Sequence, residues 1–241
     1  MKVLFGFLLL ATTTYLFAQT RSFAPLPRYQ VKRASSPIVI DGKPDKPVWA
    51  AADKMELSFP WPQMAANREK TIVRLLWDDK YLYVSFQCDD SDIVATETQR
   101  DGPVDRDDSV QLLINPEPTQ SHAYIGLEVN VLGTIHDYLS ANGEYFFQQF
   151  NLQDLRVMTF TDGTVNQHND VDRGWSLEAA IPWANFDDLS RQHSVGTIWK
   201  ANFGRWSGVP PHRSYSIWSD SLLEDPSAHN PQRFGELVFA Q

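Results

Sequence analysis

Apolar and polar residues alternate along most of the chain, a pattern that is typical of β-strands rather than helices. Apolar runs at 71–78 and 80–88 are joined through Asp78 and Asp79, which predicts a hairpin. Further runs follow at intervals of roughly 8–20 residues: SVQLLIN, AYIGLEVNV, TIHDYL, LRVMTFT, GWSLEAAIPW, TIWKANFGRW, SYSIWS and FGELVF. Helical spacing is confined to one turn within 46–53 and a short helix at 183–189. The pattern predicts an all-β fold, an antiparallel β-sandwich of jelly-roll type with at most one or two short helices.

The two ends of the chain differ in character. Residues 1–18 combine a short positive start with an apolar run that is too short to span a bilayer, which predicts a cleaved signal peptide and a secreted or periplasmic protein. Residues 19–36 contain Pro and Ser without a period and are expected to form an extended leader. Residues 37–241 begin with a short strand at 37–42 and fit a single β-sandwich domain.

Composition removes several classes of function. The formal net charge of −9 argues against nucleic acid and anionic membranes as partners, and membrane insertion is not expected. Cys88 is the single cysteine and lies in an apolar strand, so a buried, inert thiol is expected, and zinc or iron–sulfur sites need more cysteines. Five of the eight tryptophans lie in apolar contexts that indicate the core: Trp49, Trp77, Trp175, Trp183 and Trp199.

Strict alternation divides three strands into two faces. The apolar faces carry Val110, Leu112 and Ile114, then Leu127, Val129 and Val131, and then Ala201 and Phe203. The opposite faces carry Gln111, Leu113 and Asn115, then Gly126, Glu128 and Asn130, and then Asn202, Gly204 and Trp206. If the strands are neighbours, this second face is a polar surface with an aromatic, and its glycines let a ligand approach the backbone.

A saccharide site needs this mixture, because hydroxyl groups pair with polar side chains and the C–H faces of a sugar ring stack on an aromatic. Trp61 lies in a Pro-rich loop where an indole has few packing partners, and Trp206 and Trp218 lie at strand ends beside loops. These three tryptophans are therefore the candidates for ligand contact.

Catalysis and other functions stay open as alternatives. A glycoside hydrolase would need a carboxylic acid and a second carboxylate about 5–10 Å apart, for which Glu128 with Asp107 or Asp108 are candidates. No motif of a serine hydrolase, zinc protease or nucleotide-binding loop is present in the sequence. A sandwich that binds haem or mediates envelope interactions is a further alternative.

Acidic clusters at loop positions suggest calcium rather than a transition metal. One cluster is Asp89, Asp90 and Asp92, and the other is Asp105, Asp107 and Asp108. Neither matches a calcium-loop motif, so a solvated loop whose Asp residues cap turns outweighs a metal site.

Six segments together resemble carbohydrate-binding module family 9. They are IVIDGKPDKPVW, VRLLWDDKYLYVSFQCDD, DRDDSVQLLINP, YIGLEVNVLGTIHD, GWSLEAAIPWANF, and WKANFGRW with NPQRFGELVF. They run in the family's order from about Ile38 to Phe239. The resemblance implies a secreted, non-catalytic β-sandwich that binds oligo- or polysaccharide, commonly with structural calcium, and that takes part in carbohydrate catabolism.

The resemblance also implies a binding face. Carried over, its residues are Gln111, Glu128, Asn202 and Gly204, the face that alternation selects. Family members clamp a terminal sugar between two tryptophans, but this chain has Val104-Asp105 and Ser227-Ala228 at those positions. Trp206 and Trp218 are the candidates to replace them.

Overall fold

A computed structural model describes residues 24–119, 122–190 and 193–241. The signal peptide expected at 1–18 lies outside the described residues. The strands within them are β1 (Arg28–Arg33), β2 (Met55–Glu56), β3 (Thr71–Trp77), β4 (Tyr81–Asp89), β5 (Ser109–Asn115), β6 (Tyr124–Asn130), β7 (Ile135–Ala141), β8 (Tyr145–Phe147), β9 (Arg156–Asp162), β10 (Gly174–Pro182), β11 (Ile198–Ser207), β12 (Ser214–Ile217) and β13 (Gly235–Phe239).

The strands form one curled sheet in the order β8-β7-β6-β5-β11-β13-β1-β3-β4-β10-β9, with β12 added to β11 and β2 added to β3. The sheet folds over at β1, so its two halves face each other across a shared apolar core. The predicted all-β sandwich is confirmed. All pairings are antiparallel except those of β1, which runs parallel to both β13 and β3.

β1 corrects the expected domain boundary, because it lies in the segment assigned to an extended leader. Tyr29 and Val31 alternate with polar residues and are buried in the core. The expected strand at 37–42 does not form, because the backbone N–H groups of Asp41 and Gly42 donate to the Glu178 carboxylate at 3.0 and 3.1 Å instead of to a neighbouring strand. The sandwich therefore includes β1, and residues 37–42 form an irregular segment with a bend at 41–42.

Helical structure in the described residues is limited to five single-turn 3-10 helices, more than the one or two short helices expected. They are Pro47–Ala51, Pro62–Met64, Val104–Arg106, Trp183–Phe186 and Pro231–Arg233. The first and fourth fall within the two segments whose spacing predicted helix. No helix in the described part of the chain has the length and apolar character needed to cross a bilayer.

The core matches the sequence pattern closely. The five tryptophans assigned to the core are all buried, as are the apolar faces of β5, β6 and β11. Cys88 is also buried in this core, and burial raises the pKa of its thiol to about 12. This thiol therefore stays protonated and unreactive at neutral pH.

Arg205 lies on the core face of β11 and joins the two halves of the sandwich. Its guanidinium, 1% exposed, donates to Thr71 Oγ1 at 3.1 Å, to Asp89 O at 2.7 Å and to Asp90 Oδ2 at 2.8 Å. The three partners lie at the β3–β4 end of the opposing half. A buried charge of this kind is tolerated because it is paired and hydrogen-bonded.

We expect Arg205→Met to lower the free energy of unfolding by about 3–5 kcal/mol, because it leaves the Asp90 carboxylate buried without a counter-charge. The Arg205→Met/Asp90→Asn double variant is expected to recover part of this loss, since no buried charge is left unpaired. Urea denaturation of the two single variants and the double variant measures the coupling. Additive losses would contradict the pairing.

Candidate functional site

Three strands that the sequence treated separately are neighbours in the sheet. Gly204 on β11 is in register with Gln111 on β5, which is in register with Glu128 on β6, and Glu128 is in register with His136 on β7. The four residues form one continuous row on the face opposite the core. The polar face that alternation predicted is thus assembled by strand pairing.

Two tyrosines lie across two glycines of this face. A Cβ atom on Gly126 would lie 2.2 Å from the Tyr138 ring, and one on Gly204 would lie 2.8 Å from the Tyr215 hydroxyl. Any larger side chain at either position would displace the tyrosine. A tyrosine side chain therefore fills the space above each glycine, where the sequence pattern predicted a ligand.

The hydroxyl groups of these tyrosines meet the central Gln111–Glu128 pair. Tyr215 donates to Gln111 Oε1 at 2.8 Å, Gln111 Nε2 donates to Glu128 Oε1 at 2.8 Å, and Tyr138 donates to the same Glu128 oxygen at 3.0 Å. This network fixes both the position and the amide orientation of Gln111. Burial raises the pKa of Glu128, whereas the hydrogen bonds from Gln111 and Tyr138 oppose that rise.

His229 extends the network from the loop before β13. Its Nε2 lies 3.2 Å from Gln111 Nε2, and its Nδ1 lies 2.7 Å from the Tyr124 hydroxyl. Because an amide nitrogen only donates, Nε2 accepts this hydrogen bond and Nδ1 carries the proton. Burial lowers the pKa of His229 to about 4, so the ring is neutral at physiological pH.

A cavity of about 240 Å³ opens above the Gln111–Glu128 pair. Trp206 on β11 and Phe146 on β8 line it from opposite ends of the β8-β7-β6-β5-β11 run. Trp206 stacks on Tyr215 with ring centroids 4.1 Å apart, and Phe146 packs edge-on against His229 at 5.3 Å. The cavity thus combines a polar floor with an aromatic residue at each end, and its lining is Asp105, Gln111, Glu128, His136, Tyr138, Phe146, Gln148, Trp206, Tyr215, Pro226, Ser227 and His229.

Two predicted amides lie away from this cavity. Asn130 donates to Glu97 O and Asp107 Oδ2 and accepts from Thr134 N, at 2.7–2.9 Å. Asn202 exchanges two hydrogen bonds with the Ser219 backbone, both at 2.9 Å. Both side chains are fully buried and hold loops against the sheet. Alternation therefore predicted correctly the side of the sheet on which they lie, but not that loops cover them.

Three further predicted residues occupy different places. Gly204 is covered by Tyr215, as described above. Trp61 is 1% exposed, donates to Leu223 O at 3.0 Å and packs against Tyr215, so the expectation that its loop offers few packing partners is wrong. Trp218 packs over Gly235 and against Phe203 and does not line the cavity. Of the predicted site residues, the cavity brings together Gln111, Glu128, Trp206 and Asp105.

The acidic stretch before β5 separates into three environments. Asp107 accepts hydrogen bonds from the backbone N–H groups of Thr96 and Glu97, both at 2.9 Å. Asp108 accepts from Val94 N and Gly208 N, and burial raises its pKa to about 7. Asp105 is exposed at the cavity rim. The carboxyl groups of Asp107 and Asp108 are directed into loops, so neither forms the catalytic pair with Glu128 that the sequence allowed.

These three acidic residues also do not fit a calcium ion. Within the residues that the structure describes, no three acidic, histidine or cysteine side chains converge as a metal-binding group. The oxygens of Asp107 and Asp108 already accept backbone hydrogen bonds, which replaces the role that a cation would have in ordering the loop. Calcium binding elsewhere on the chain stays a prediction.

Several residues of the cavity were missed in the sequence. The strands that carry Tyr138, Tyr215 and Phe146 are not among the three from which the polar face was predicted, and His229 lies in a loop. Alternation in TIHDYL and SYSIWS does place His136 with Tyr138 and isolates Tyr215, so those strands carried a usable signal. The position of His229 carried none, because it depends on how the last loop folds over β5.

Comparison with known proteins identifies the family and the fold. Residues 50–239 match the sequence model of carbohydrate-binding family 9. No curated protein matches the chain at a significant level. Among solved structures, the chain is similar to a Bacteroides uniformis protein provisionally described as carbohydrate-binding, with a TM-score of 0.74 and 19% identity over 89% of this chain and 100% of that one.

Two structures of a family 9 module from Caldicellulosiruptor kristjanssonii are also similar. The complex with cellotriose has a TM-score of 0.62 and 18% identity over 88% of this chain and 93% of that one. The complex with glucose has a TM-score of 0.61 and 19% identity over 88% and 95%. At these identities the likeness shows the fold.

We expect Asp107→Asn to lower the free energy of unfolding by about 1–3 kcal/mol, because the new amide group turns a donor toward backbone N–H groups. Asp105→Asn, on the exposed rim of the same stretch, is the matched control and should change stability by less than about 0.5 kcal/mol. Thermal unfolding with Ca²⁺ and with EDTA checks the cause. If EDTA lowers the unfolding temperature of the wild type by as much as Asp107→Asn does, Asp107 acts through calcium.

The low pKa of His229 predicts that acid destabilises the protein through this residue. Between about pH 6.5 and pH 4 the unfolded chain takes up a proton on His229 that the folded chain does not, so stability falls as the pH falls. Glu128 and Asp108 have raised pKa values and act in the opposite direction. We therefore expect the wild type to lose about 1–3 kcal/mol relative to His229→Gln over this range, measured by urea denaturation at each pH. Parallel pH profiles would contradict a neutral His229.

Proposed function

The chain belongs to carbohydrate-binding family 9, whose members are non-catalytic binding modules, and on this premise we propose that it binds an oligo- or polysaccharide in the cavity above Gln111 and Glu128. The observation that carries the proposal is the hydrogen-bonded Gln111–Glu128 pair on a floor between Trp206 and Phe146. Related modules in the family have been solved with cellotriose and with glucose.

The floor supports binding of hydroxyl groups. Glu128 and Gln111 are held in place by the two tyrosines and His229, so neither side chain loses much rotational freedom when a ligand arrives. Preorganised polar groups of this kind reduce the entropy cost of binding. A carboxylate beside an amide also offers the closely spaced hydrogen-bonding groups that vicinal hydroxyls match.

Phe146 supports stacking at one end of the cavity, and Trp206, whose ring already contacts Tyr215 at 4.1 Å and the Arg213 guanidinium at 4.4 Å, supports an edge contact at the other. The family's two clamp tryptophans are missing, but Trp206 and Phe146 place aromatic rings at the two ends of the same floor. The cavity volume of about 240 Å³ is below the roughly 300–1,000 Å³ of pockets for drug-sized molecules, which suits one or two sugar rings. The remainder of a longer chain would extend into solvent.

We also propose that the protein acts in carbohydrate catabolism outside the cytoplasm, either secreted or in the periplasm. The composition of residues 1–18 supports export. N-terminal sequencing of the protein from culture supernatant and periplasm checks the expected cleavage after Ala18. Recovery of the uncleaved chain from the cytoplasm alone would contradict export.

Isothermal titration against cellotriose, glucose and a panel of soluble glycans tests the binding function. We expect Phe146→Ala to weaken binding about tenfold, because it removes a stacking surface from the cavity. Trp206→Ala should weaken it at least as much.

Tyr145→Ala is the matched control, because Tyr145 neighbours Phe146 on β8 but points to the opposite face and is 66% exposed. Its affinity should equal that of the wild type. No binding to any glycan by the folded wild type, or equal losses in Phe146→Ala and Tyr145→Ala, would reject this site.

A further inference from the structure

The hydrogen-bonding groups at the cavity floor are unevenly used. Both N–H groups of the Gln111 amide are occupied, one by Glu128 Oε1 and one by His229 Nε2. The hydroxyl protons of Tyr138 and Tyr215 are also occupied, by Glu128 and by Gln111. The donors of Gln111 and of the two tyrosines are therefore used within the protein, and His136 Nε2, at the end of the same row, is buried without a hydrogen-bond partner among the described residues.

The hydrogen-bond acceptors of Glu128 and Gln111 are only partly used. Glu128 Oε1 accepts two hydrogen bonds, whereas Oε2 accepts none from the part of the chain that the structure describes. Gln111 Oε1 accepts one hydrogen bond and has a second lone pair. The ligand therefore meets acceptors at the centre of the floor, and the group best placed to satisfy them is a hydrogen-bond donor.

Charge favours the same ligand chemistry. The cavity lining contains two carboxylates, Glu128 and Asp105, two histidines, His136 and His229, and no Lys or Arg. Arg213 lies with its guanidinium carbon 4.4 Å from the Trp206 ring centroid and does not line the cavity, and its Nε and Nη2 atoms are buried. The formal net charge of −9 adds a long-range preference against polyanions.

From this arrangement, and resting on the proposed function, we propose that the cavity selects saccharides by the charge of their substituents. It binds amino sugars with a free ammonium group more tightly than neutral sugars, and it excludes uronic acids. The contact that distinguishes them is made by Glu128 Oε2.

The physical basis is the low dielectric of a largely buried floor. Glu128 is 6% exposed, so a bound ammonium group would replace the water lost by the carboxylate with a charge-assisted hydrogen bond. A uronate would instead place a second negative charge beside Glu128 away from bulk water, which is strongly unfavourable. A neutral hydroxyl falls between these two cases.

Four trimers with β-1,4 linkages provide the test, because they differ only in one substituent. They are trimers of glucosamine, N-acetylglucosamine, glucose and glucuronic acid, titrated by calorimetry at about pH 6.5, where the uronic acid is charged and contact between a bound amine and Glu128 favours the charged form of both groups. We expect the glucosamine trimer to bind about tenfold more tightly than cellotriose. The N-acetylated trimer should lose this advantage, and the glucuronic acid trimer should show no binding.

Glu128→Gln assigns the preference to one atom. The new Oε1 can accept from Gln111 and Tyr138 as before, while Nε2 replaces the ligand-facing acceptor with a donor. The roughly tenfold preference for the glucosamine trimer should then disappear while cellotriose binding changes less. Glu224→Gln is the matched control, because Glu224 is exposed and does not line the cavity. It should retain the preference, which should also persist at about 0.3 M salt because buried charges are screened little.

The outcomes separate this inference from the proposed function. Binding of cellotriose without tighter binding of the glucosamine trimer overturns the inference and leaves the function standing. A preference that survives in Glu128→Gln, or that is lost in Glu224→Gln or in salt, overturns the assignment to Glu128. Failure of all four trimers to bind overturns both. If Glu128→Gln does not fold, as judged by near-UV circular dichroism, the affinities of the wild type for the glucosamine and N-acetylglucosamine trimers still test the preference for a free amine.

Discussion

Burial of β5 and β6 on both faces is the constraint on which the rest of this structure depends. Every residue of both strands is buried, although only one face of each is apolar. A polar side chain on the other face must therefore find its hydrogen bonds within the protein, since an unpaired buried group is costly. Gln111 satisfies this requirement, and Glu128 satisfies it at Oε1, through each other and through side chains that fold over them, whereas Glu128 Oε2 accepts no hydrogen bond from the described residues.

The covering side chains connect the fold to the site. Tyr138 and Tyr215 can reach the Gln111–Glu128 pair because Gly126 and Gly204 leave space beneath them. Trp61 packs behind Tyr215, and Trp206 stacks on its ring, so an aromatic series leads from the interior to the cavity. The same contacts that complete the packing of this layer thus hold the proposed binding groups in fixed positions, which is the form of preorganisation that favours binding.

The loops around the site are ordered by carboxylates. Asp107 and Asp108 bind backbone N–H groups at 94–97 and at Gly208, and Asn130 connects Asp107 to the β6 end. Arg205, one position beyond the binding row on β11, ties the same end of the sandwich together through Asp90. The acidic residues before β5 thereby support the cavity from outside, and one of them, Asp105, reaches its rim.

The sequence by itself determined which residues face the core and which face away from it. Alternation in β5, β6 and β11 assigned both faces correctly, because side chains alternate strictly in any extended strand regardless of its neighbours. It also predicted the β3–β4 hairpin and the buried tryptophans, since long apolar runs have few other solutions. The place of Gln111, Glu128 and Trp206 on one surface followed from this local rule together with the resemblance to a known family.

Only the tertiary structure decided what covers that surface. Asn130 and Asn202 share the face of Gln111 and yet hold loops, because the segments 96–107 and 219–221 fold over them. Phe146 lines the cavity from a hairpin 35 positions from Gln111 along the chain, and His229 lines it from a loop 118 positions away. Alternation is a property of a single strand, whereas the closure of loops over a sheet depends on packing between distant segments, and no local pattern encodes it.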